Sequence, residues 1–492
     1  MHKLSERKLA DADVKARILA PENRKWWTLG AVAFALFMIM LDNTVVNVAL
    51  PSIQRDLGIG LSELEWTVNA YVLTFAVLLL SGGKLADRFG RRRVFVAGLA
   101  VFAASSLACG LAPSGEILIA ARAVQGIGAA LMLPATLSII SATFPARERG
   151  LALGIWAGVS ALALAIGPLV GGLLSEQVSW SWIFFINVPI GALGIVVARI
   201  VIKESRDTSA GQRLDLPGLV VSAAALFALV FGLIEANAYG WTSTTILLLF
   251  GGAAAGLVAF VWLELRQRAP MLDVSLFSNG TFAGANLVAL LVTFSMFGVF
   301  FFMSLYVQQI LGYSPVQAGA IFLPMTIMII LVAPVAGKLS DRLGSRWLMT
   351  AGMTLTGVCL LLFSRLGLGS GFWDLLPGLA VGGLGMATTM TPMTAAALGA
   401  VPVDKAGVGS GVLNTFRQVG GALGIAVMGA ILTARQTDAL AAGKSRPEAF
   451  LDGFSTTLEV ASAIAFSAAL VAALLVRKAH HAERAALGEA PA

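Results

Sequence analysis

Long apolar runs dominate this chain, and they leave few folds open to it. A helix crosses the hydrocarbon core of a bilayer with about 20 predominantly apolar residues. Fourteen such runs can be read: 27–50, 65–82, 93–112, 116–139, 150–174, 183–202 and 215–236, then 243–264, 282–309, 316–336, 346–364, 374–397, 407–433 and 455–476. No interval between them is long enough for a folded soluble domain, so the activity is expected to reside among the helices. Composition agrees, since 58% of the 492 residues are hydrophobic and only 12% are charged, against about a quarter charged in an average soluble domain. The sequence therefore predicts an all-α polytopic membrane protein.

The net charge of +7 could suggest a nucleic-acid partner, but its placement argues for cytoplasmic membrane loops instead. If the N-terminus is inside, 27 of the 34 lysines and arginines fall on inner segments and 5 on outer ones. That asymmetry follows the positive-inside rule, and one helix more or fewer would scramble it. The expected placement is multi-pass in the cell (inner) membrane, with both termini cytoplasmic. Residues 1–26 lack the short apolar core and cleavage site of a signal peptide.

An internal repeat divides the chain. Residues 83–93 read GKLADRFGRRR and residues 337–347 read GKLSDRLGSRW, an offset of 254 with seven identities in eleven. At the same offset Leu57-Gly58 matches Leu311-Gly312. The resulting organisation is an N-terminal tail over 1–26, a six-helix bundle over 27–202, and a linker over 203–281 carrying an inserted hairpin (215–236, 243–264). A second six-helix bundle over 282–476 and a tail over 477–492 complete it. Repeats of this kind place a substrate site between the halves near the bilayer midplane.

Two charges buried in the first bundle stand out. Asp42 lies about 21 Å along the first span and about 13 Å from Pro51. An acid at that depth is costly and by default marks an ion or proton pathway. Burial favours the neutral acid and a neighbouring cation favours the carboxylate, so such a group can exchange a proton as access alternates. The alternative is a fixed carboxylate capping a backbone break at Asn43-Thr44. Arg122 lies at a similar depth, and an intramembrane guanidinium is naturally resolved by a carboxylate, so Asp42 and Arg122 are expected to meet in one state. Asp42 has no counterpart one repeat on, where Met296 stands. Arg417, in the thirteenth run, has no embedded acid of its own bundle to neutralise it.

Other features carry less specific chemistry. Gly167-Pro168 and Gly171-Gly172 combine a missing helix donor with glycines four apart, which suits close, adjustable helix packing; Gly154 and Gly158 repeat the spacing. The expected cavity wall includes Phe34, Met38, Asn43, Gln125, Phe301, Met325, Met390 and Arg417, a soft and aromatic set suited to flat lipophilic compounds. Gly443-Lys444-Ser445 imitates part of a phosphate loop, but Asp438 stands where that loop needs glycine. The histidines occur only in the tails, and Cys109 and Cys359 lie in apolar runs, so neither an enzyme site, a metal centre nor a disulfide framework is indicated.

Several runs together resemble the major facilitator superfamily, and within it the 14-span drug:proton antiporters of the EmrB/QacA type. They are Leu41-Asp42-Asn43-Thr44-Val45-Val46-Asn47-Val48-Ala49-Leu50-Pro51, the basic loop from Gly83 to Arg92, Arg122-Ala123-Val124-Gln125-Gly126, Gly167-Pro168-Leu169-Val170-Gly171-Gly172, and Trp180 to Pro189. Those proteins usually carry arginine where this chain has Ser181. The resemblance implies the major facilitator fold, two six-helix bundles plus the inserted hairpin, and proton handling by the arginine of the fourth span. It links the Gly-Pro motif with export. It also implies a cytoplasmic latch formed by Gly83, Asp87, Arg88, Gly90 and Arg91, with Asp341 and Arg342 in the second copy; Asp87 would meet the start of the thirteenth span at Gly407-Val408-Gly409. The expected function is proton-coupled efflux of lipophilic compounds, cationic ones favoured, by alternating access. The proton gradient drives it without a cofactor, in a monomer that leaves room for a periplasmic adaptor. An exporter of one metabolite or antibiotic, a nutrient importer and a membrane sensor or scaffold are the competing readings.

Overall fold

The computed structural model describes residues 20–206, 215–267, 270, 272–401 and 406–477. Every regular element among them is helical. The first set runs α1 (Pro21–Leu57), α2 (Leu61–Phe89), α3 (Arg91–Gly110), α4 (Gly115–Thr143), α5 (Ala146–Gln177), α6 (Trp182–Phe185) and α7 (Asn187–Val201). The hairpin is α8 (Leu216–Tyr239) and α9 (Thr244–Arg266). There follow α10 (Gly280–Leu305), α11 (Pro315–Ile321), α12 (Leu323–Leu343), α13 (Ser345–Phe363), α14 (Phe372–Gly399), α15 (Ala406–Ala441) and α16 (Arg446–Leu475).

Among the described residues, 12 helical segments are long and apolar enough to cross a membrane; α6–α7 and α11–α12 each count as one. The long helices α5, of 32 residues, and α14, of 28, are not among them. In α14 the run Gly382-Gly383-Leu384-Gly385-Met386-Ala387-Thr388-Thr389 dilutes the hydropathy with small and hydroxyl side chains, which suit tight helix contact. Apolar side chains remain exposed on the hairpin, Leu248 at 69% and Val258 at 71%, as they would against lipid tails.

Helix ends differ from the apolar runs for local reasons. The last helix starts at Arg446 rather than 455, because Ser445 and Glu448 form a capping box: Glu448 Oε2 accepts the Ser445 amide at 2.9 Å and its hydroxyl at 2.7 Å. The run 183–202 is broken at Ile186, where Pro189 removes a donor and crowds the carbonyl four residues back. Pro324 has the same effect on the run 316–336, which breaks at Phe322.

The repeat survives in the backbone. Gly58 and Gly312 both adopt positive φ, 64° and 72°, as do Gly90 and Gly344 at 112° and 85°. Each pair lies 254 residues apart at a helix junction, in a conformation that only glycine enters readily.

The chain forms two compact units. The first comprises Met1–Ala223, Gln267–Met271 and Tyr313–Ala320; the second comprises Ala224–Arg266, Leu272–Gly312 and Ile321–Ala492. Segment 313–320 comes from the second half of the sequence, yet it packs into the first unit. Within that unit the expected inner segments meet at one end: Arg24 Nε donates to the Val201 carbonyl (2.7 Å), Lys25 pairs with Glu148 (2.5 Å) and Lys84 Nζ donates to the Pro270 carbonyl (2.7 Å).

Candidate functional site

Asp42 lies in the middle of α1, which runs unbroken past it. Thr44 Oγ1 donates to the Leu41 carbonyl at 3.0 Å and Asn47 Nδ2 to the Asn43 carbonyl at 3.0 Å. A cap at a break near Asn43-Thr44 is therefore corrected: these side chains bond back onto the preceding turn and leave the main-chain ladder intact.

Helix α4 presents Arg122 and Gln125, three residues apart and so on one face, to the Asp42 carboxylate. Arg122 Nη1 donates to Asp42 Oδ2 at 2.5 Å and to Gln125 Oε1 at 2.7 Å, while its Nε donates to the Thr67 carbonyl of α2 at 3.1 Å. Gln125 Nε2 donates to Asp42 Oδ1 at 2.9 Å and to Ser106 Oγ of α3 at 3.3 Å. Asn187, the first residue of α7, donates from Nδ2 to Asp42 Oδ1 at 3.4 Å and to Ser106 Oγ at 3.1 Å. The Ser106 hydroxyl passes its own hydrogen to the Phe184 carbonyl at 2.9 Å. The Arg122 guanidinium lies 4.2 Å from the centre of the Tyr71 ring, within cation–π range. All these side chains are buried.

The electrostatics follow from the donor directions. The hydrogens around Asp42 come from a guanidinium and two amides, and all point at its oxygens, so the arrangement matches an ionised carboxylate beside a cation. A buried pair is tolerated when extra hydrogen bonds satisfy the remaining lone pairs and protons, and Gln125, Asn187 and the Thr67 carbonyl do so here. Asn187, Ser106 and Tyr71 were not among the site residues expected from sequence. The available signal was polarity out of place, above all an amide inside the apolar run Ile183–Pro189.

The remaining expected residues are distributed as follows. A Cβ at Gly167 would stand 1.8 Å from Thr44 Oγ1, at Gly171 2.7 Å from the Val45 carbonyl, and at Gly172 2.3 Å from the Pro315 carbonyl. Across the same contact a Cβ at Gly319 would stand 2.1 Å from the Pro168 carbonyl. These glycines thus bring α5 against both α1 and the segment 315–319. Gly158 differs, with open space where a Cβ would go; close packing at that position is corrected, because no atom of the described residues lies within 4 Å of where its Cβ would stand. The side chains of Asp341 and Gly407 and the detail of Gly154 lie outside the described residues.

In the basic loop, Asp87 accepts from Arg91 Nε one turn on, at 3.0 Å. Arg88 lies over the Phe89 ring at 5.2 Å, a Cβ at Gly83 would make only an ordinary contact with the Pro134 side chain and Arg342 is exposed. Of the expected cavity set, Phe34 is 41% exposed and stacks on Phe37 with ring centres 6.3 Å apart. With Trp26, Ile155 and Leu162 these rings line an apolar cavity of about 470 Å³. Met38, Phe301 and Met325 are buried and offer no surface in this conformation; they fill helix contacts, as long apolar side chains most often do. Gln125 is drawn into the Asp42 network, and Asn43 and Met390 are half-buried. Arg417 donates from Nη2 to Thr394 Oγ1 at 2.8 Å, and its buried Nε has no hydrogen-bond partner among the described residues.

Known proteins place this geometry in a family. The Major Facilitator Superfamily model matches residues 32–216 and 216–425. The chain is 39% identical over 410 residues to the Multidrug resistance protein Stp of Mycobacterium tuberculosis (strain CDC 1551 / Oshkosh), covering 83% of this chain and 76% of that one. It is 38% identical to the Tetracenomycin C resistance and export protein of Streptomyces glaucescens over 84% and 77% of the two chains. With the Puromycin resistance protein pur8 of Streptomyces alboniger the identity is 37% over 92% and 91%. Among solved structures, an auto inhibited POT family peptide transporter superposes with a TM-score of 0.67 at 17% identity, over 92% and 97% of the chains. A bacterial homolog to the human lysosomal transporter Spinster gives a TM-score of 0.65, also at 17% identity and the same coverage. At these identities the solved structures speak for the fold, and the family model and the sequence relatives for descent: this chain is a multi-pass membrane protein that belongs to the Major Facilitator Superfamily of transporters.

Proposed function

We propose that the protein is a proton-coupled efflux antiporter for lipophilic compounds, cationic ones favoured, of the 14-span EmrB/QacA type. In this reading α5 and α14 cross the membrane with the other twelve segments, both termini are cytoplasmic, and the protein sits in the cell membrane. The observation that carries it is the buried Asp42 carboxylate held by Arg122, Gln125 and Asn187. A proton added to Asp42 cancels its attraction for Arg122, which keeps Gln125 Oε1, the Thr67 carbonyl and the Tyr71 ring. Those neutral acceptors only partly offset the loss of the counter-ion, so the protonated state favours a rearrangement of the helices around Arg122, and that links the proton to a change of conformation. Protonation would loosen the tie between α1 and α4, and a cationic cargo would compete with the proton for the same carboxylate. The apolar cavity beside Phe34 and Phe37 suits flat lipophilic molecules. No cofactor is needed, since the proton gradient supplies the energy, and a monomer suffices, with or without a periplasmic adaptor.

Efflux of a fluorescent lipophilic cation from vesicles, with and without an imposed pH gradient, tests this. The parent should export against its gradient only when protons flow inward, and Asp42→Asn should lose that dependence. Uptake in place of export, or unaltered coupling in Asp42→Asn, would refute the assignment. A narrower reading, export of a single antibiotic, is favoured by relatives whose names give one compound, puromycin and tetracenomycin C. Competition by chemically unrelated cations separates the two.

A further inference from the structure

The first unit carries a groove remote from the buried network. Helices α3 and α7 pack side by side. Where α3 begins and α7 ends, their outer faces enclose about 510 Å³ lined by Arg92, Arg93, Val96, Ala97, Ala100 and Arg199. Three guanidiniums from two helices stand at its polar end. From Arg93 to Ala100 the floor descends about 10 Å along α3, and every residue lining that stretch is apolar. Ala97 and Ala100 are exposed, so the floor opens outward, toward the side a bilayer would occupy.

The charges do not cancel. Among the described residues, Glu204 is the carboxylate paired with these arginines: its Oε2 lies 3.8 Å from Nε of both Arg92 and Arg93, and its Oε1 accepts the amide hydrogens of Arg92 and Ser205. Arg92 Nη1 also reaches the Ile202 carbonyl at 3.4 Å. The neighbouring Arg91 is matched by Asp87. Among the described residues, three lining arginines against one carboxylate leave a positive excess at the mouth of an apolar trough.

We propose that this groove holds one anionic glycerophospholipid, its phosphate on Arg92, Arg93 and Arg199 and an acyl chain along Val96, Ala97 and Ala100. Arginine pairs with phosphate through parallel charge-assisted hydrogen bonds, and basic pockets at helix ends select anionic headgroups. A free phosphate would leave the trough uncovered, and a neutral lipid would leave the arginines uncompensated. The assignment rests on the membrane-spanning fold and not on proton coupling, so the two proposals fail separately.

Native mass spectrometry of the purified full-length protein with added phosphatidylglycerol or phosphatidylcholine tests it. One phosphatidylglycerol should be retained in preference to phosphatidylcholine, and excess inorganic phosphate should not displace it. At about 1 kcal/mol per arginine near a lipid surface, each arginine is worth about fivefold in affinity. Arg93→Ala with Arg199→Ala should therefore weaken retention about 25-fold. Ala100→Trp, an exposed change that fills the trough and keeps all three arginines, should also lower occupancy, and circular dichroism checks that each variant is folded. Equal retention of both lipids, displacement by phosphate, or undiminished binding in the folded variants would overturn the proposal.

Discussion

Arg122 Nη1 stands 2.5 Å from Asp42 Oδ2, joining α4 to α1 at a point where neither side chain is more than 1% exposed. Eighty residues apart in sequence, the two form one electrostatic unit, and each is costly without the other.

That coupling is measurable as stability. Arg122→Gln leaves the Asp42 carboxylate buried with amide donors alone, and breaking a buried pair in this way costs about 3–5 kcal/mol. Asp42→Asn added to Arg122→Gln should recover most of the loss, because the uncompensated charge is gone. Thermal unfolding in detergent of the parent, both single variants and the double variant gives the cycle; additive effects would show that the pair is not a unit.

The glycine contacts of α5 separate two kinds of crowding. Gly167→Ala drives a methyl group into Thr44 Oγ1, 1.8 Å away, whereas Gly171→Ala meets the Val45 backbone at 2.7 Å. Both should reduce transport at least tenfold, with about 1–3 kcal/mol of overpacking strain. Thr44→Ala should partly restore Gly167→Ala, the Thr44 Cβ remaining 2.8 Å away, and should leave Gly171→Ala unimproved. Initial efflux rates for the four variants decide it.

A pH dependence is expected at the outer end of α5. The Ser314 hydroxyl, and after it the Val316 amide, hold the Glu176 carboxyl below its ordinary range of about 4.5. A carboxyl depressed in the folded state contributes stability above its unfolded value, and that contribution is lost as pH falls through the folded value. The contact should thus be constant from neutral pH down to about 4.5 and weaken only in stronger acid. Hydrogen exchange at the Val316 amide, bonded to Glu176 Oε2 at 2.9 Å, should show protection falling only in that acid range, and Glu176→Gln should flatten the profile. Loss of protection between pH 6 and 8 would contradict this.

Two junction glycines of positive φ should differ in tolerance. Gly90→Ala meets both a positive φ and the Glu204 carboxylate, 2.7 Å from the new Cβ, whereas Gly312→Ala meets a positive φ with open space around it. Backbone strain of this kind costs about 1–3 kcal/mol. Gly90→Ala should therefore melt at a lower temperature than Gly312→Ala, and Glu204→Ala should narrow the gap. Equal melting temperatures for the two glycine variants would count against the Glu204 contact.

Much of the site was legible because charge in an apolar run is conspicuous. Asp42 and Arg122 announced themselves by depth alone, and their pairing followed from the cost of leaving either exposed to lipid. Asn187 and Ser106 did not, since an amide or hydroxyl is tolerated in many packed helices. Only the placement of α7 after the break at Ile186 brings Asn187 to Asp42. Met38, Phe301 and Met325 were not legible in this way: they have the same chemistry whether they line a cavity or fill a core, and their burial is a tertiary property.

By itself the sequence determined that the chain must be a bundle of membrane helices built on a repeat, because runs of that length and apolarity have no other stable setting and the glycine junctions recur 254 residues apart. Helix ends were set locally too, by caps and prolines that override hydropathy, as at Ser445 and Pro189. Tertiary structure decided which polar atoms share a hydrogen bond, which glycines touch a neighbouring backbone, and that segment 313–320 packs with the first unit. Those outcomes depend on distances between helices far apart in the chain, and residue spacing within one helix carries no record of them.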